Sequence, residues 1–273
     1  MTQAEKGRRL RALHERNEAF IIPNPWDAGT ARLLVYLGFE ALATTSAGYA
    51  FSVGKRDGVI GRDETLQHVA AIASATDLPV SADLENGFAD TPESVAETIK
   101  LAAQAGAVGG SIEDAFRNGG GVELYELDRA VERVRAAAEA ARSLPFTFTL
   151  TARAENYLVG KPDLKDAIKR LRAYQDAGAD VLYAPGLTSE KDIDTLVGSV
   201  DRPVNVLMGL QGVRLPLAAL SAIGVKRVSV GSALSRAALG AFLRAAQEMR
   251  QHGTFTFAEQ AVSYRDISAM FPA

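Results

Sequence analysis

Four carboxylates stand in two short runs that each follow an apolar strand-like segment: Asp83 and Glu85 in VSADLENGF, and Glu113 and Asp114 in GGSIEDAF. If those segments are neighbouring strands, their ends bring the acids together. Ionised carboxylates do not crowd unpaired, because like charges a few Å apart raise one another's pKa. A positive partner is therefore required, and the sequence offers two: Arg153 in TARAEN, or a metal ion. The type of ion follows from missing residues. The chain has no cysteine, and its three histidines, His14, His68 and His252, fall in helical patterns away from strand ends. Without imidazole or thiolate ligands, oxygen-only ligation points to Mg2+, with Mn2+ as the alternative. Mg2+ keeps several waters, so one or two direct carboxylates suffice. Schiff-base chemistry needs a lysine inside the fold. Lys226 stands at the start of its strand, the wrong end for that task.

The elements that must position these groups are marked by a repeated punctuation. Gly38, Gly106, Gly178 and Gly224 each end a helix-like run just before an apolar segment. Glycine suits that place because it closes a helix in the left-handed conformation at little steric cost. Pro79, Pro145 and Pro203 open three further segments, where a missing N–H breaks no ladder bond. With Phe20–Pro23 there are eight candidate strands, mostly non-alternating, as expected when both faces are buried. Eight β-then-α units predict an α/β fold, a closed (β/α)8 TIM barrel, over a single domain 1–273. The alternative is an open doubly wound sheet, but no Gly-x-Gly-x-x-Gly follows the first strand. The tail 254–273 reads as one or two short helices with Phe255, Phe257, Tyr264 and Phe271 to bury, a surface a partner subunit could accept.

In such a barrel the site forms at the carboxyl ends of the strands. Besides the four acids, those ends present Ser46 and Gly48, Arg153 with Glu155 and Asn156, and Asn205. Val230-Gly231-Ser232 opens a helix and resembles an anion site built from helix N–H groups. Composition excludes several other functions. The net charge of −3 gives no nucleic-acid or membrane partner. The absence of cysteine excludes disulfides, thiol nucleophiles and iron–sulfur clusters. The first seventeen residues lack an apolar signal core and no stretch approaches a membrane span, so a cytoplasmic protein is expected.

The succession ADLENGF, SIED, TARAEN resembles the isocitrate lyase/phosphoenolpyruvate mutase superfamily, from about Phe20 to the end of the last barrel helix. The resemblance implies that Asp83 is the direct Mg2+ ligand, with Glu85 and Glu113 acting through coordinated waters. The family usually has aspartate where Glu85 stands. It further implies that Arg153 neutralises the substrate's carboxylate, and that Ser46, Ala47 and Gly48 hold an α-keto acid carboxylate with backbone amides. Asp57, in GKRDG, corresponds to an acid on the flexible loop after strand two that reaches the metal waters. The isocitrate and methylisocitrate lyases carry a Lys-(Lys/Arg)-Cys-Gly-His loop after strand four. Here AFRNGGGVEL occupies that place, which argues against those two activities, while its glycines suggest a mobile gate spanning 117–121. Dimers or tetramers that exchange a C-terminal helix are also implied.

The reading that results is a Mg-dependent lyase. Its substrate is a small α-keto or 2-hydroxy dicarboxylic acid, cleaved through a metal-stabilised enolate to a pyruvate-type α-keto acid. Asp57 or Tyr49 is expected to move the proton. Arg153, Ser46, Ala47, Gly48, Asn118, Glu155 and Asn205 are expected to contact substrate. The alternatives are P–C chemistry, as a phosphonomutase or phosphonopyruvate hydrolase, and a non-catalytic metabolite-binding barrel.

Overall fold

The computed structural model describes residues 1–119 and 121–271. Helix α1 (Gln3–Glu15) leads into β1 (Phe20–Ile22), α2 (Ala28–Tyr36), β2 (Leu42–Ala43), α3 (Ser46–Ser52), α4 (Arg62–Ser74) and β3 (Val80–Asp83). There follow α5 (Pro92–Gln104), β4 (Gly109–Glu113), a hairpin of β5 (Ala115–Asn118) and β6 (Gly121–Leu124), α6 (Leu127–Arg142) and β7 (Thr149–Arg153). The chain continues through α7 (Leu164–Asp176), β8 (Val181–Tyr183), α8 (Glu190–Val197), β9 (Val204–Leu207), α9 (Leu217–Ala222), β10 (Arg227–Ser229) and α10 (Ala233–His252). A 3-10 turn (Thr256–Gln260) and α11 (Tyr264–Ala269) form the tail.

Eight strands make one parallel sheet in the order β1-β10-β9-β8-β7-β4-β3-β2. The ring is completed by a backbone hydrogen bond from Ala43 N–H to the Pro23 carbonyl at 3.0 Å. The closed barrel expected from the sequence is therefore the fold, and each of the seven segments marked by glycine or proline, with Phe20–Pro23 as the eighth, contains a barrel strand. Two elements differ from expectation. Residues 46–52, read as strand end and loop, form α3, because Thr45 caps it by accepting the Gly48 N–H at 3.2 Å. Within AFRNGGGVEL, β5 and β6 pair antiparallel, with Arg117 opposite Val122.

The N-terminal end of the barrel is plugged by α1, whose Leu10 and Leu13 are fully buried. Gly7 makes this possible, since a Cβ there would lie 2.2 Å from the Thr147 carbonyl oxygen. Burial continues outward into a layer of helices, with Ile99, Val134, Leu171 and Ile193 in the main core. Helix α10 is less enclosed: Leu239, Phe242, Leu243 and Met249 are exposed, as are Phe255 and Tyr264 of the tail. Among the described residues no helix is long and apolar enough to cross a membrane.

Candidate functional site

Arg153, the last residue of β7, is the hub of the carboxyl end of the barrel. Its Nη1 donates to Asp83 Oδ1 at 3.0 Å, its Nε to Glu155 Oε1 at 2.8 Å, and its Nη2 lies 3.1 Å from Glu113 Oε2. Parallel pairing sets this up, because Glu113 is opposite Arg153 and Asp83 is opposite Ser111 on successive strands. Asp83 is also held by the Ser46 N–H, at 3.0 Å to Oδ2. Its own N–H donates to Thr44 Oγ1 at 2.8 Å. Tyr183 supplies the other wall, its ring centre 5.4 Å from the guanidinium carbon.

Four carboxylates, counting Glu85, thus surround one guanidinium. Burial pushes the Glu113 carboxyl well above the usual range despite Arg153, and Glu155 rises for the same reason. Glu85 is pushed up to about 7 by burial first, then by Asp83 and Asp57. Burial alone would depress Arg153, but Glu155, Glu113 and Asp83 raise it well above its ordinary value. The carboxylates outnumber the one guanidinium that pairs with them. Glu85 also has φ +47°, a left-handed backbone uncommon for a residue with a side chain. Its Oε1 is buried without a hydrogen-bond partner.

These features fit a hard divalent cation. The donors are all oxygen, the charge is in excess, and one buried carboxylate oxygen lacks a donor. No group of three acidic, histidine or cysteine side chains among the described residues forms a ready metal cage. That suits an ion that retains most of its water better than one bound wholly by protein. Asp83, expected as the direct ligand, already accepts a donor on each oxygen, whereas Glu85 Oε1 accepts none.

A cavity of about 220 Å3 opens beside this cluster, walled by Ser46, Ala47, Asp57, Asp83, Arg153, Asn205 and others. A larger cavity, about 600 Å3, lies at the opposite end of the barrel beneath α1 and touches none of the acidic strand ends. Most of the expected residues already have partners within the chain. Of the three amides expected to bind carboxylate, Ser46 N–H serves Asp83 and Gly48 N–H serves Thr45, which leaves Ala47. Tyr49 faces away, stacked on His68 at 4.0 Å with its hydroxyl 3.5 Å from Glu64. Glu155 orients Arg153 from a buried position, and its N–H donates to Asp114 at 2.8 Å. Asn118 is exposed on the hairpin and donates to Glu123 at 2.7 Å. The Val230 and Gly231 amides, read as an anion site, both donate to Asn24 Oδ1 at 2.9 Å. Asp114 is a buried structural node, bonded by Arg170 at 3.2 Å and Tyr174 at 2.5 Å.

Two buried arginines escaped the sequence reading. Arg133, on the Ala-rich α6, is fully buried under the loop that carries Glu85 and donates to the Ala89 and Asn86 carbonyls. The periodicity of α6 was the signal, since Arg133 shares a face with Ala130, Val134 and Ala137. Arg227 lines the inner end of the cavity.

The family model of phosphoenolpyruvate phosphomutases matches residues 10–250. A Burkholderia cenocepacia J2315 protein that carries the provisional description lyase/mutase superposes with a TM-score of 0.96 at 64% identity, over 99% of this chain and 97% of that one. A 2,3-dimethylmalate lyase of the phosphoenolpyruvate mutase/isocitrate lyase superfamily superposes with a TM-score of 0.86 at 26% identity, over 99% and 95% of the two chains. A Corynebacterium glutamicum protein described as probable 2-methylisocitrate lyase 2 is 31% identical over 92% of this chain and 83% of its own. With the barrel and the Arg153 cluster already in view, matches of this extent establish that the chain belongs to the phosphoenolpyruvate phosphomutase family, as an enzyme of the lyase/mutase type in the isocitrate lyase/phosphoenolpyruvate mutase superfamily.

Proposed function

We propose that this protein is a Mg2+-dependent carbon–carbon lyase acting on a small α-keto or 2-hydroxy dicarboxylic acid, with a pyruvate-type α-keto acid as product. The observation that carries the reading is the Arg153 hub, a buried guanidinium tied to three carboxylates with Glu85 Oε1 left unpaired beside it. Asp83, Glu85 and Glu113 are the residues that would hold the ion. Bound there, Mg2+ would stabilise negative charge on the C2 oxygen. That charge is the enolate left when a keto acid loses its C3 substituent, or the alkoxide of a 2-hydroxy acid. The alkoxide becomes the keto group while the departing C3 carbon takes the electron pair and then a proton.

The chain's own groups then divide the remaining work. Arg153 offers a planar fork to the substrate's carboxylate once the ion takes over part of its acidic surroundings. The Ala47 N–H stands at the first turn of α3 and is the one amide of its trio left to reach that carboxylate. Glu155, locked by Asp114, holds the guanidinium in its place beside the cavity. Asp57 is the wall acid reached from a loop, and it takes the proton role that Tyr49, turned toward Glu64 and His68, does not. The hairpin that stands in place of a cysteine loop directs the substrate away from those that need a thiol. The related 2,3-dimethylmalate lyase carries a name that matches a branched 2-hydroxy dicarboxylate.

The test incubates the enzyme with Mg2+ and a panel of C4 to C6 2-keto and 2-hydroxy dicarboxylates, following α-keto acid release. In parallel, phosphonopyruvate is followed by phosphorus NMR. The expected outcome is release from at least one dicarboxylate, abolished by EDTA and by Asp83→Ala. Loss of the P–C signal with every dicarboxylate inert would replace C–C cleavage by P–C chemistry, and turnover that survives EDTA would remove the ion.

A further inference from the structure

Arg227 opens β10 with its side chain inside the barrel, buried, and it lines the same cavity as Asp83 and Arg153. It pairs in register with Asn205 on β9. Its Nε donates to Asn205 Oδ1 at 2.8 Å, and Asn205 Nδ2 donates in turn to Ser229 Oγ at 2.9 Å. That chain of bonds aims the guanidinium. Its Nη1 is buried without a hydrogen-bond partner.

The two arginines of the cavity differ in one respect. Arg153 is met by three carboxylates, whereas among the described residues no carboxylate pairs with Arg227. The groups around it are neutral or positive: Asn205, Ser229, Tyr183, His14 from below, and Arg153 across the cavity. Burial lowers Arg227 to about 10, and its charge in turn helps burial hold His14 down at about 3. Arg227 therefore stays charged at neutral pH in a place where an apolar side chain of similar volume would be less costly. A buried cation that the chain does not neutralise calls for an anion from outside.

We propose that Arg227 is an anion subsite at the inner end of the active-site cavity, and that it receives the second carboxylate of the substrate. A guanidinium presents a fork that matches a planar carboxylate. One unpaired cation also matches a monoanionic group better than a phosphate dianion. Asn205 is accordingly a positioning residue for Arg227 rather than a substrate contact. This inference rests on the keto or hydroxy acid reading above and deepens it, since it assigns the two acid groups to opposite ends of one cavity.

The test compares malate with 2-hydroxybutyrate, which has a methyl group in place of the far carboxylate. Oxalate serves as a probe of the Arg153 end alone. Dissociation constants are measured by calorimetry with Mg2+ on wild type, Arg227→Gln and Arg227→Met, and melting temperatures are recorded without ligand. Wild type is expected to prefer malate over 2-hydroxybutyrate by on the order of tenfold or more, as for loss of one charge-assisted hydrogen bond. Both variants should abolish that preference and leave oxalate affinity unchanged, and Arg227→Met should melt no lower than wild type. A malate preference that survives in both variants overturns the subsite. So does an Arg227→Met protein that melts lower and loses oxalate and malate by the same factor, which would mark a structural role. Failure of wild type to bind oxalate at all overturns the underlying keto acid reading instead.

Discussion

Arg153 makes contacts that depend on shape as much as charge. Its three nitrogens address three different carboxylates, and a lysine ammonium has no planar fork with which to do so. Arg153→Lys is expected to lower kcat/KM by about 100- to 1000-fold, the size of losing one aligned donor at a reacting centre, with the circular dichroism of the wild type. A loss below threefold would show that only the charge matters there. The acids around Arg153 were legible because a strand-end position follows from the strand itself. What each acid does was less so: nothing in ADLENGF announces that Glu85 is held at φ +47° with an unpaired oxygen. Arg227 was hidden because VKRVSV puts it beside Lys226, and two adjacent basic residues read as an exposed strand start. Only the alternation of a strand separates them. Lys226 turns out to bond the Arg16 and Asn17 carbonyls, while Arg227 turns in.

At the level of elements, the barrel was readable because glycine and proline mark the joints between helices and strands for reasons of backbone sterics. The connections were not, since their conformations depend on contacts distant in sequence. The hairpin of β5 and β6 is the case in point. Its Arg117 lies against Gly58 in the loop that carries Asp57, so closely that a Cβ on Gly58 would meet the guanidinium at 2.0 to 2.2 Å. Gly58 also has φ +75°. The hairpin and the Asp57 loop therefore touch through one arginine laid on one glycine. Gly58→Ala should cost about 1 kcal/mol of stability from the left-handed backbone and displace Arg117. Arg117→Ala should cost less stability and produce the same catalytic defect, because both changes release the loop. Steady-state kinetics and urea melts on the two variants test this. A catalytic loss in Gly58→Ala alone would assign the effect to backbone strain rather than to the contact.

The whole molecule carries a pH signature from the plugged end of the barrel. His14 is buried, its Nδ1 2.8 Å from the Leu10 carbonyl, and burial followed by the charge of Arg227 holds it at about 3 against an ordinary 6.5. The unfolded chain binds this proton at a higher pH than the folded one. The neutral ring's contribution is therefore fully present above about pH 6.5 and is lost as pH falls toward 3. Between pH 7 and pH 5 wild type should lose about 2 kcal/mol more stability than His14→Gln, because each tenfold rise in proton concentration across that window favours the unfolded chain by up to roughly 1.4 kcal/mol. Urea midpoints at the two pH values read the difference directly, and parallel behaviour of the two proteins would mean that His14 is protonated in the native state. The barrel's closure has a different consequence. Seven of its eight joins are ladders, and the eighth, between β1 and β2, is one backbone hydrogen bond from Ala43 to Pro23, backed by the Asn24 amide reaching the Thr44 carbonyl. A ring is only as tight as its loosest stitch. The Ala43 amide should be the barrel amide that exchanges with heavy water soonest, and Ser46, whose N–H steadies Asp83, hangs a few residues beyond it. When the cylinder breathes, it would part along this line, on the side of the cavity where Asp83 is held.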